Sequence, residues 1–234
     1  MKNPAALSAP LFSLLLAGAA PAGADTDFAS RAWPDNFLTR VEALALLQSL
    51  NVELLSHDSA TLTLQQWCTD HRLASEPRIV AKRLQTEPRV PSAEQRATLR
   101  VTASETVRFR HVQLSCGALL LAEAENWYVP GRLTVAMNHE LETTEAPFGV
   151  VVRALNFQRR TLSARLLWSP LPPSWEMNAS APDEAAHQQA GPMQVPAAVL
   201  EHHAVLTLPD GTPFSLLVET YSGNVLAFHA PPAD

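Results

Sequence analysis

Two stretches of the 234-residue chain constrain its fold more than any other feature. Residues 106–130 and 199–222 each read as two strand-like runs around a short turn signal. In the first the turn is Ser115-Cys116-Gly117-Ala118; in the second it is Pro209-Asp210-Gly211. Two such runs joined by a short turn predict an antiparallel hairpin. On the leading strand of the first hairpin Arg108, Arg110, Val112 and Leu114 then share a face, so charged groups stand in line with core residues.

Helical spacing fills most of the remaining chain. Leu38, Val41, Leu44, Leu47 and Leu50 mark one face of a helix over 36–55, and Asp58-Ser59 ends it and caps a second helix running through Leu62, Leu64 and Trp67 to about His71. A short strand at 78–84 is followed by a helix at 92–101 with Ser92 as its cap, a helix at 134–144, and a short helix at 147–155 led by Pro147. Residues 160–168 read as a further strand. The stretch 169–196 is rich in proline and alanine without periodicity, which predicts a surface insertion. Strands that alternate with helices but include two hairpins predict an α+β fold, an antiparallel sheet with helices packed on one side.

The amino terminus has the form of an export signal. Lys2 precedes an apolar run over residues 5–20, too short for a bilayer span, and Ala22-Gly23-Ala24 offers a small-residue cleavage motif before Asp25. The expectation is a signal peptide at 1–24 and a periplasmic or secreted single domain at 25–234, without stable membrane insertion. A net charge of −6 and the lack of any Lys/Arg run argue against nucleic acid as a partner. The two cysteines, Cys68 and Cys116, permit one disulfide in an exported protein; two buried thiols are the commoner alternative.

Four collinear segments resemble the chorismate lyase family, whose fold also serves ligand-sensing (UTRA-type) domains of transcription regulators. They are Asp58-Ser59-Ala60-Thr61, the strand pair opened by Val107-Arg108-Phe109-Arg110 and closed by Tyr128-Val129-Pro130, Ala146-Pro147-Phe148-Gly149, and Gly211-Thr212-Pro213-Phe214 through Val218-Glu219-Thr220. The resemblance implies that Arg110 grips a substrate carboxylate and that Glu219 is the essential glutamate. Ala60 and Phe148 would line the pocket in place of a methionine and a leucine, and Arg108 is the alternative to Arg110. Family chemistry eliminates pyruvate from chorismate to leave 4-hydroxybenzoate, and it needs no cofactor or metal.

Elementary chemistry suits these roles. An arginine fork matches a carboxylate, and a desolvated glutamate can bond to or protonate a ligand. The competing reading makes Arg110 and Glu219 a charge pair within the sheet, with Glu123 as a rival partner that reads better as a cross-strand surface charge. Chorismate is made and consumed in the cytoplasm, which conflicts with export. A binding module for a small aromatic or other carboxylate, and a periplasmic interaction scaffold, therefore stand beside the enzyme. Glu201-His202-His203 is a poor metal motif, since neighbours on a strand face opposite ways, and His57-Asp58-Ser59 is a poor triad. Trp67, Trp127 and Tyr128 read as core.

Overall fold

The computed structural model describes residues 33–177 and 191–228; the expected signal peptide lies outside them. The first helix, α1 (Phe37–Ser56), starts at Asn36, whose side chain accepts from the Thr39 N–H at 2.9 Å while the Thr39 hydroxyl accepts from the Asn36 N–H. Its inner face consists of Ala43, Leu47, Leu50 and Leu54, all with no exposed surface. Ser59 caps α2 (Ala60–Asp70), which buries Ala60, Leu64, Trp67 and Cys68.

Six strands form one antiparallel sheet: β1 (Ile79–Arg83), β2 (Arg108–Cys116), β3 (Leu119–Tyr128), β4 (Gln158–Leu166), β5 (Ala198–Thr207) and β6 (Pro213–Ser222), in the order β1-β2-β3-β6-β5-β4. The two expected hairpins are β2–β3 and β5–β6, and they meet along β3 and β6. Gly117 turns the first with φ +55°, and an added Cβ there would lie 2.8 Å from Ala74 Cβ. Strand β4 begins at Gln158 rather than at 160, which brings Arg159 into the sheet.

Helices α1, α2, α4 (Val135–Thr143) and the short α5 (Phe148–Val151) cover the sheet face formed by Arg110, Val112, Leu114, Leu217 and Tyr221. Against the other face, Leu99, which follows α3 (Ala93–Thr98), packs with Trp127, Val205 and Leu216. Trp67, Trp127 and Tyr128 are core residues as expected.

Cys68 on α2 and Cys116 at the end of β2 are joined by a disulfide in the largest apolar cluster, so the two-thiol alternative does not hold. The fold places the third turn of α2 against the end of β2, where the two cysteines meet. The expected insertion at 169–196 is docked at both flanks. Leu171 and Met193 are buried, Met193 in the largest apolar cluster; the Met193 N–H donates to Trp33 O at 2.7 Å, and Arg40 on α1 donates to Pro170 O at 2.6 Å. Its centre falls outside the described residues. Among the described residues no helix is long and apolar enough to cross a membrane.

Candidate carboxylate-binding crevice

The alternation that places Arg110 among core residues carries it into a crevice between the sheet, the start of α2 and the start of α5. Its side chain is 3% exposed. One guanidinium nitrogen, Nη2, donates to Ala146 O at 2.8 Å, while Nε and Nη1 have no acceptor. Burial, and secondarily the nearby Arg83, hold its pKa below the ordinary arginine value, against the opposing pull of Tyr128 and Glu145. Beside it on β3, its register partner Asn126 is equally buried: Asn126 Oδ1 accepts from the Ser215 hydroxyl at 2.6 Å, and Nδ2 has no acceptor.

Glu219 lines the same crevice but does not pair with Arg110. Its Oε2 accepts from Arg159 Nη2 at 2.5 Å and from the Tyr221 hydroxyl at 3.2 Å, all three side chains being buried. Desolvation works against the charge on Arg159, but Glu219 outweighs it and the guanidinium pKa rises above its ordinary value. Burial chiefly, with the neighbouring carboxylate, pushes the Tyr221 phenol up. His202, opposite Glu219 in the sheet, donates through Nε2 to Asn51 Oδ1 at 2.8 Å and leaves Nδ1 unfilled; burial lowers its pKa to about 4.

Ala60 and Phe148 both line the crevice, Ala60 at the first position of α2 and Phe148 at the first of α5. Their elements are in close contact: a Cβ on Gly149 would sit 3.0 Å from Ser59 Oγ. Asp58, just before that cap, accepts from the Arg159 N–H at 2.8 Å and so ties α2 to β4. Arg108 is not brought to the crevice. It stands at the start of β2, half exposed and ion-paired with Glu142 on α4, which holds it away from Glu219. Glu123 instead bonds Gln113 at 2.7 Å and His111 at 3.3 Å, partly exposed, as a cross-strand surface charge. Glu201 and His203 share a face and pair at 3.3 Å, whereas His202 points inward.

A curated protein of Sinorhizobium fredii (strain NBRC 101917 / NGR234), the uncharacterized protein y4mC, is 54% identical over 200 residues, which cover 85% of this chain and 83% of the relative. The chain belongs to the y4mC family. No family model matches it. Among solved structures, similarity is found to the effector domain of PhnF from Mycobacterium smegmatis (TM-score 0.42, 13% identity, 71% of this chain and 90% of that one). The GntR-family transcriptional regulator from Enterococcus faecalis V583 gives a TM-score of 0.38 at 11% identity over 66% of this chain and 99% of that one. The "possible transcriptional regulator YydK" of Bacillus subtilis gives 0.38 at 14% identity over 66% of this chain, which spans 62% of that protein's length. Likeness at this level does not extend to a ligand or an activity.

In this member of the y4mC family the polar crevice residues missed by sequence reasoning are Asn126 and Arg159. Asn126 carried a usable signal: it continues Ala122 and Ala124 on the inner face of β3, a polar group at a core position just as Arg110 is on β2. Arg159 carried none, since its partner is sixty residues away on a strand that is not its neighbour.

Proposed function

We propose that the crevice binds the carboxylate of a small organic acid, with Arg110 as the receiving cation and Asn126 as a second donor. The observation that carries this reading is the buried Arg110 guanidinium with Nε and Nη1 unfilled. An ion held out of water without a counter-charge costs several kcal/mol, and a carboxylate accepting two of its N–H groups removes that deficit. The buried charges of the crevice, Arg110 and Arg159 against Glu219, leave one positive charge, which suits a monoanion.

Space narrows the reading. The cavity that Arg110 and Glu219 share measures about 40 Å³, whereas a cavity of about 150 Å³ accepts benzene. Arg110 also lines a second, larger hollow of about 560 Å³ with Arg83, Arg108, Tyr128 and Leu141, and Glu219 is not part of its lining. A binding module for an aromatic or similar carboxylate is therefore better supported than an enzyme that must hold the whole of chorismate against Glu219. The Cys68–Cys116 disulfide supports placement in an oxidising compartment, in keeping with a signal peptide at 1–24.

The test is calorimetric titration of the purified chain from Asp25 onward with 4-hydroxybenzoate and with its neutral amide. Saturable binding of the acid alone, lost in Arg110→Met, is the expected result; equal binding by the Arg110→Met protein sinks the assignment. The second reading, a chorismate pyruvate-lyase activity, is favoured by the presence of Glu219 in the same crevice as Arg110. It predicts 4-hydroxybenzoate and pyruvate above a protein-free control when chorismate is added.

A further inference from the structure

The larger hollow that Arg110 lines lies where β2 outruns its edge neighbour. Strand β1 pairs with β2 only from Val112 to Cys116, and the Leu84 N–H adds one last bond to His111 O. The chain then crosses toward Trp127, whose Nε1 donates to Arg89 O at 3.1 Å. The start of β2 therefore borders about 560 Å³ of space instead of a strand, a volume within the range of small-molecule sites.

Register decides which charges meet there. Arg83 stands opposite Val112, so the period of two puts it on the same sheet face as Arg110 and Arg108, diagonally beside Arg110. Helix α4 contributes Leu141 and Glu142 to the hollow, Glu142 being its single carboxylate among the described residues.

Five arginines line this space, and three of them already have partners. Arg108 is ion-paired with Glu142, Arg89 with Glu125 at 2.5 Å, and Arg96 donates to the carbonyls of Thr102 and Glu105. Arg83 has no carboxylate partner among the described residues, only a 3.4 Å contact from Nη1 to Glu142 O. Arg110, almost wholly buried, leaves Nε and Nη1 without acceptors. Burial first, and then the charge of Arg83, hold the Arg110 pKa below its ordinary value. Two cations thus border one hollow with no acid of the protein between them.

Resting on the carboxylate assignment above, we infer that the ligand is a dianion seated in this hollow, one negative charge accepting from Arg110 and the second from Arg83, with its body against Tyr128 and Leu141. The crevice alone balances one negative charge; Arg83, which lies outside it, calls for the second. A second carboxylate and a doubly ionised phosphate head both match a guanidinium fork, so the shared chemistry is the paired negative charge.

The experiment is isothermal titration of the purified chain from Asp25 onward with two dianions, isophthalate and phenyl phosphate, and two monoanions, monomethyl isophthalate and 4-hydroxybenzoate. At least one dianion is expected to bind about tenfold tighter than either monoanion at low salt, the gain shrinking as salt rises. A preference for isophthalate assigns a dicarboxylate, and a preference for phenyl phosphate assigns a phosphate monoester. In Arg83→Gln, whose folding is checked by thermal melting, the ratio of dianion to monoanion affinity should fall to about one, whereas Arg89→Gln, at a cation already paired with Glu125, should preserve it. The comparison of isophthalate with its monomethyl ester needs no variant, so it decides the second charge even if Arg83→Gln does not fold. Monoanions that bind as tightly as the dianions would overturn the dianionic ligand and leave the carboxylate site standing. An equal fall of the ratio in Arg89→Gln would overturn the seat at Arg83, and failure of all four probes removes both readings.

Discussion

Arg159 on β4 reaches across β5 to Glu219 on β6, its Nη2 lying 2.5 Å from Oε2 with both side chains almost wholly out of solvent. This pair gives Glu219 a partner other than Arg110, whose Nη2 donates to Ala146 O instead. The Tyr221 hydroxyl adds a second bond to the same oxygen. Glu219 is thereby fixed in place by the protein itself.

Removing one member of that pair leaves the other charge buried alone. Glu219→Ala should lower the unfolding free energy by about 3–5 kcal/mol, whereas replacing both by apolar residues, Arg159→Met with Glu219→Leu, should recover most of the loss. Urea denaturation of the three variants measures this, and equal destabilisation by the double variant would show that the pair contributes net stability.

Arg110→Met is expected to behave in the opposite way. The guanidinium is buried with two unfilled donors, so losing it should leave stability within about 1 kcal/mol of the parent or raise it, while carboxylate binding disappears. Arg110→Lys should not restore binding, because an ammonium lacks the planar fork. A clear drop in melting temperature in the methionine variant would assign Arg110 a structural role instead.

His202 makes the fold acid-sensitive. Its folded-state pKa of about 4 lies below the ordinary 6.5, so the unfolded chain binds the extra proton throughout that interval. The stability that His202 contributes is complete above about pH 6.5 and is lost as the pH falls through 4. Urea midpoints across this range should decline in the parent, and the His202→Phe protein should show a shallower decline. Parallel curves would place the acid sensitivity elsewhere.

The disulfide closes a sequence separation of 48 residues, for which the chain-entropy relation gives about 4 kcal/mol. Cys68→Ala/Cys116→Ala should lose close to that amount in denaturant titrations. Both cysteines are fully buried, so the native protein should resist mild thiol reductant that reduces the unfolded chain readily.

Much of the crevice could be read locally. Alternation along β2 put Arg110 on the core face before any contact was known, and the capping pattern at Asp58-Ser59 put Ala60 at a helix start beside it. The same rule of two would have exposed Asn126 on β3. Arg108 obeys that rule too, yet it ends outside the crevice, because it lies at the end of the strand and is held there by Glu142 on α4. Periodicity identifies a face; it does not say which partner each side chain on that face will meet.

The sequence by itself determined the elements, the two hairpins and the inward direction of Arg110 and Glu219, since turns, caps and side-chain alternation depend on residues within a few positions of one another. Only the tertiary structure decided that β6 lies between β3 and β5, that Glu219 bonds to Arg159 and leaves Arg110 unpaired, and that Cys68 meets Cys116. Those choices depend on strand order and on the lengths of chain closed between distant segments. No short stretch encodes them, because each partner's burial becomes favourable only when the whole sheet and its helix layer are assembled.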